Sequence, residues 1–222
     1  QMEPTQQNIN FVTDLFIRLV TGRGREITQR QQSELESAVQ NVFTLPKKQR
    51  RASSLIEYMN RADPDGLAKK LARWVGDGQM AWLFDNEEDT IDFSRRVTGF
   101  NIKEFIDNDE VRTVTMMYLF HRMTEIDDGR RLRVDIGEFW KALDDDYFSQ
   151  WVKAFLNTKR KDNAMFVGET QSPEAVVEST IAHTIIGQTA TKLFLWNAGA
   201  TEETYVDKFG LNRAEYEWVK ML

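Results

Sequence analysis

Arg131-Leu132-Arg133-Val134-Asp135-Ile136-Gly137, running into Glu138-Phe139-Trp140, is the stretch on which the fold turns. Leu132, Val134 and Ile136 alternate with Arg131, Arg133 and Asp135, the period-two pattern of a strand with one apolar face. The other face must be wet or meet a polar partner. Residues 164–170 read as a second strand. Between the two, Tyr147, Phe148, Trp151, Val152, Phe155 and Leu156 mark a helix. Strand, helix, strand implies a parallel pair joined by a crossover. A further helix is predicted from Pro173 to about Ile186, with proline at the first position, where its missing N–H would be unpaired anyway. Lys192-Leu193-Phe194-Leu195-Trp196 is a continuous apolar run, as expected of a strand covered on both faces. Residues 81–84 and 96–102 are earlier candidate strands, and a helix is expected from about Asp109 to Ile126.

Upstream the texture is helical. Ile9, Val12, Leu15, Phe16, Leu19 and Val20 recur at helical spacing, with Thr5 as cap and Gly22 just past the end. Thr28 and Gln31 form a capping box for a helix that buries Leu35, Val39, Val42 and Phe43, and Pro46 ends it. Shorter amphipathic helices use Leu55, Ile56 and Met59, then Leu67, Leu71, Trp74 and Val75. The fold class that follows is α/β, a parallel sheet flanked by helices over residues 79–222, preceded by an all-helical subdomain over 1–78.

Composition narrows the function. The 222 residues carry a net charge of −6, which argues against a dedicated nucleic-acid binder without excluding a local basic groove. There is no cysteine for a disulfide framework, and two histidines, His121 and His183, give a His-based metal site little to work with. No metal site is expected. No stretch approaches the roughly 18–20 apolar residues that span a bilayer. The start at Gln1 lacks the regions of a signal peptide and suggests a piece of a longer chain.

Ligands of open parallel sheets sit at the carboxyl ends of the strands. Glu138 follows the first strand, and Thr170-Gln171-Ser172-Pro173 follows the second. A carboxylate at one tip beside an amide at the next suits the polarising of a water molecule against a phosphate. Asp144-Asp145-Asp146 reads as a turn with an N-cap rather than a metal cluster, since consecutive side chains diverge. Trp74, Trp82, Trp140 and Trp151 read as packing residues.

At these residues the sequence resembles the large ATPase of VirB-type type IV secretion and conjugation systems, the TraC/TrbE/CagE class. The resemblance rests on Ala81-Trp82-Leu83-Phe84-Asp85-Asn86, Tyr118-Leu119-Phe120-His121-Arg122, Glu138-Phe139-Trp140-Lys141-Ala142-Leu143, Thr170-Gln171-Ser172-Pro173-Glu174, Gln188-Thr189-Ala190-Thr191-Lys192, and Tyr205-Val206-Asp207 with Phe209-Gly210-Leu211. It covers about residues 67–222 well and 1–66 loosely. It implies a RecA-like core that assembles as a hexamer, hydrolyses ATP with Mg²⁺, and works with other secretion subunits to build a pilus and move DNA or protein. The place implied is the bacterial cytoplasm, at the cytoplasmic face of the inner membrane. By resemblance Glu138 matches the catalytic glutamate, Gln171 a sensor glutamine, and Gln188 the glutamine of the last motif. Arg160 and Lys161 match a basic pair that acts across a subunit interface.

Two departures stand out. The phosphate-binding G-x-x-x-x-G-K-[ST] pattern is absent from these residues, and the family places it upstream of such a helical region. The family also has Asp before the catalytic glutamate to hold Mg²⁺, where this chain has Gly137. Asp135 points to the same face but lies about 6–7 Å back along a strand. The expectation is therefore an ATPase segment that neither binds ATP tightly nor hydrolyses it alone. The rivals are a catalytically dead docking module of the apparatus, favoured by Gly137, and a DNA-pumping motor of the coupling-protein or HerA/FtsK kind.

Overall fold

Two apolar runs at helical spacing open the chain, and each folds as its caps dictate. The structure, a computed structural model, describes residues 2–22, 26–126, 129–159 and 163–221. Helix α1 (Gln6–Thr21) begins at Thr5, whose hydroxyl accepts the Asn8 N–H at 3.2 Å, and ends at Gly22 with φ 56°. Helix α2 (Gln29–Thr44) carries the full capping box, Thr28 and Gln31 each accepting the other's backbone N–H at 3.2 Å. The two helices pack together. Leu15, Phe16 and Leu19 on one and Leu35, Ala38 and Val39 on the other are buried, the last three completely. Full burial of each such large aliphatic contributes roughly 1.5–3 kcal/mol.

The chain divides into two compact units, Gln1–Arg122 and Met123–Leu222. Residues 79–122, grouped by pattern with the sheet, pack within the first. That unit continues through α3 (Ala52–Ile56), α4 (Leu67–Leu71), α5 (Ala81–Phe84) and α6 (Lys103–Ile106) to α7 (Asp109–Glu125), which runs past its end. Val111, Val114, Met116, Met117, Leu119, Phe120 and His121 of α7 are all buried. A helix enclosed on nearly every side sits in a core rather than on a surface. His121 stacks on Phe11 with ring centroids 3.7 Å apart and bonds Asn8 Oδ1 at 2.8 Å, a packing role.

Two strands expected here do not form. Residues 81–84 are helical, because a four-residue apolar run carries no period of its own and the local turns decide. Gly76, at φ 57°, reverses the chain, Met80 N–H reaches the Arg73 carbonyl at 2.8 Å, and Asp85 N–H closes on Ala81 at 2.9 Å. Residues 96–102 belong to an irregular segment with Val97 86% exposed. No strand among the described residues of the first unit lies ready to pair with them.

Asp85 ties this unit together. Its carboxylate, 2% exposed, accepts the Ser53 N–H at 2.8 Å and the Gly76 N–H at 2.7 Å, with Arg51 Nε 3.7 Å away. The start of α3, the Gly76 turn and the end of α5 thus converge on one side chain.

The second unit is built on β1 (Leu132–Ile136) and β2 (Ala164–Gly168), parallel and in register from Leu132 opposite Ala164 to Ile136 opposite Gly168. Helix α8 (Asp146–Thr158) is the crossover, capped by Asp145, which accepts the Phe148 N–H at 3.1 Å. Val134 and Ile136 face inward, and Phe148, Val152 and Phe155 of α8 are buried. Arg133 and Asp135 lie on the exposed face, bonded to each other, as the alternation implied.

The predicted helix from Pro173 is broken in two, α9 (Pro173–Glu178) and α10 (Ala182–Gln188). Ser179 turns extended at φ −66°, ψ 152°, and its hydroxyl donates to the Val176 carbonyl at 2.8 Å. Serine competing for helix carbonyls breaks helices in this way. The strand predicted at 192–196 is a larger correction. The segment forms no ladder, and Leu193, Leu195 and Trp196 are 85%, 75% and 61% exposed. Only Phe194 packs, on the aromatic cluster of Tyr205, Phe209 and Tyr216 formed by the π-helical turn Glu203–Lys208 and α11 (Arg213–Met221). The run is apolar, but no neighbouring strand among the described residues covers its two faces.

Candidate functional site

The ladder between β1 and β2 does not stop where the strands do. Glu169 N–H bonds the Ile136 carbonyl at 3.0 Å, and Phe139 N–H returns to the Glu169 carbonyl at 3.2 Å. The two tips are therefore held together past residue 138. Phe139 packs into the angle, its ring edge-on to Phe166 with centroids 6.1 Å apart. Gly168 makes this possible, since a Cβ there would stand 2.9–3.0 Å from the Phe166 and Phe139 rings.

Between the ladder's end and the 3₁₀ turn Phe139–Ala142, Glu138 takes the left-handed conformation, φ 52° and ψ 33°. A side chain other than glycine held there costs about 1–3 kcal/mol and persists only where its surroundings fix it. The surroundings are visible. Gln171 Nε2 donates to Glu138 Oε1 at 2.6 Å, and Trp140 Nε1 donates to Oε2 at 2.6 Å. Among the described residues each oxygen has one internal side-chain donor. A carboxylate has about four acceptor positions, so places remain for a water molecule. Glu138 is half-buried and Gln171 exposed, so solvent reaches the pair.

The structure thus brings together the carboxylate and amide that the sequence put at neighbouring tips. It adds Trp140, read from sequence as packing; the signal available was an indole two residues beyond a carboxylate in a tight turn. Gln188 ends α10, exposed, and neither Glu138 oxygen is bonded by it. Arg160 and Lys161 lie outside the described residues.

The fit to a magnesium nucleotide is partial. Glu138 and Gln171 suit the water that attacks a terminal phosphate. Gly137 offers no metal ligand. Asp135 is occupied, accepting from Arg133 Nε at 2.8 Å and Nη2 at 2.6 Å, and this contact holds the Arg133 guanidinium above its usual pKa. A Cβ built at Gly137 meets nothing within 4 Å.

A cavity of about 480 Å³ lies in the first unit among Phe16, Val42, Leu55, Phe84 and Leu119. On its rim Asp89 accepts the Tyr118 hydroxyl at 2.6 Å and pairs with Arg122. It gathers no acid–base pair comparable with Glu138 and Gln171.

A parallel pair with a carboxylate and an amide at its tips, carried with a helical unit, makes this an α/β protein with a helical subdomain. VirB4 of Thermoanaerobacter pseudethanolicus shares the fold, with a TM-score of 0.64 at 15% identity over 99% of this chain and 65% of that one. No protein-family model matches the chain. Among curated proteins, type IV secretion system protein virB4 of Bartonella quintana is 37% identical over 219 residues, 99% of this chain and 28% of its own length. PtlC of Bordetella pertussis is 33% identical over 231 residues, and virB4 of Brucella suis 34% over 234, each covering all of this chain and 28% of the relative. The chain is therefore homologous throughout to the VirB4/PtlC proteins of type IV secretion, and it spans about 28% of the length of the relatives it matches. The similarity extends through residues 1–66, which the motifs alone had matched only loosely. No helix among the described residues is long and apolar enough to cross a membrane.

Proposed function

We propose that these residues form part of an ATP-driven motor of type IV secretion, with Glu138 taking a proton from the water that attacks the terminal phosphate and Gln171 orienting that water. The single observation that supports this reading is the 2.6 Å bond between Gln171 and Glu138 at adjacent parallel strand tips. A carboxylate held in a strained, solvent-reached turn is more than a surface charge needs. ATP and Mg²⁺ are the proposed cofactors, bound chiefly by a phosphate-binding loop outside this sequence. The segment alone is then inactive, because that loop supplies much of the affinity and of the transition-state charge stabilisation. Gln188, Arg160 and Lys161 are assigned to nucleotide or subunit contacts in a hexamer at the cytoplasmic face of the inner membrane, with other secretion subunits as partners and DNA or protein as cargo.

The test is ATP hydrolysis by a chain that joins these residues to such a loop. Turnover no greater than that of a loop-lysine variant would leave the docking module as the better reading, which Gly137 favours. Salt-sensitive binding of single-stranded DNA by the assembled protein would favour the DNA pump. Gly137→Asp serves as a second probe. The position has space for the side chain, and a carboxylate there is expected to raise magnesium-dependent turnover about tenfold, the change one metal-orienting group makes. A flat response across a magnesium titration would show that the metal is held elsewhere.

A further inference from the structure

We infer that Trp140 is a positioning residue for Glu138, its indole N–H rather than its bulk being what the site requires. The inference rests on the motor reading for its catalytic sense, but its geometry stands apart from it. Glu138 lies in the left-handed region, so its side chain turns back over the 3₁₀ turn that follows. A residue two positions on, in that turn, is placed to bring a side-chain donor to the second oxygen. Tryptophan does so with the N–H at 2.6 Å from Oε2. A hydrogen bond to an ionised acceptor is about twice as strong as a neutral one, enough to offset much of the backbone strain at residue 138.

The two donors differ in kind. Gln171 is exposed on a flexible three-torsion side chain; Trp140 is half-buried, with two torsions and a rigid ring. Trp140 is the fixed member, setting the carboxylate plane, and Gln171 the adjustable one, free to follow a water molecule. If Trp140 only packed, phenylalanine would replace it without effect on the carboxylate.

The experiment uses the 222-residue protein labelled with ¹⁵N, in which the indole N–H resonances of the six tryptophans are separately visible. Trp140→Phe assigns the Trp140 signal by its loss. In the unaltered protein that signal is expected well downfield of the exposed Trp82, Trp196 and Trp218. In Glu138→Ala it is expected to move to their range, and in Gln171→Ala to stay in place. Glu138→Gln, which keeps the shape and one acceptor, is expected to move it part of the way and guards against a misfolded alanine variant. A Trp140 signal indifferent to both Glu138 variants overturns the inference and leaves the motor reading intact. In the loop-bearing chain Trp140→Phe is expected to lower kcat at least tenfold with KM within twofold, the signature of a misplaced catalytic group. An unchanged kcat there, with the resonance shifts as expected, would remove the positioning role; failure of Glu138→Gln to slow that chain would instead bring down the motor reading.

Discussion

Glu138→Gln in a loop-bearing chain is expected to lower ATP turnover by two to four orders of magnitude while nucleotide binding stays within a factor of about two. General-base catalysis by a positioned side chain contributes on that scale, and an amide cannot take a proton from water near neutral pH. The substitution is nearly isosteric. The new amide's carbonyl oxygen could still accept one of the two donors, Gln171 Nε2 or Trp140 Nε1, that now hold Glu138 at 2.6 Å each. The strand tips are tied by backbone bonds from Glu169 and Phe139, which the change does not touch. Lost turnover with retained binding and an unchanged melting temperature would therefore report chemistry, not folding. Residual hydrolysis within tenfold of the unaltered chain would remove Glu138 from the base's role.

The second large effect is structural. Asp85→Ala is expected to destabilise the first unit by about 2–4 kcal/mol, the cost of leaving two backbone N–H groups without their buried acceptor. The carboxylate accepts from two backbone N–H groups, Ser53 and Gly76, and stands beside Arg51. The two N–H groups lose their acceptor and the guanidinium loses a counter-charge. Ser53 opens α3, and Gly76 sits in the turn that leads to α5, so both joints loosen together. Urea denaturation followed by helical circular dichroism gives the number; a loss below about 1 kcal/mol would mean that water substitutes for the carboxylate. Contacts with Ser53, Gly76 and Arg51 account for the buried carboxylate at residue 85. Its role in the fold requires no part in catalysis.

What could be read from sequence follows from where the controlling interactions lie. Thr5, Thr28 with Gln31, and Asp145 cap their helices as read, because a cap is a contact between residues three apart. The Leu132–Ile136 strand was legible from its alternation, and its exposed Arg133–Asp135 face with it. The pairing of Glu138 with Gln171 could be anticipated because parallel strands in a crossover unit place their carboxyl ends side by side. Residues 81–84 and 192–196 were misread for one reason. A short apolar run states that it wants burial and says nothing of what will provide it. Local turns settled the first as a helix, and the second was left irregular with three of its side chains in solvent.

By itself, then, the sequence determined the capped helices, the alternating strand and the carboxylate at its tip, since each is specified by neighbours within a few residues. Only the tertiary structure decided that Glu138 would sit left-handed with Trp140 on its second oxygen, and that α7 would be enclosed by the first unit. Those outcomes depend on which surfaces meet across dozens of residues, and on strain that is tolerated only when distant contacts hold it in place.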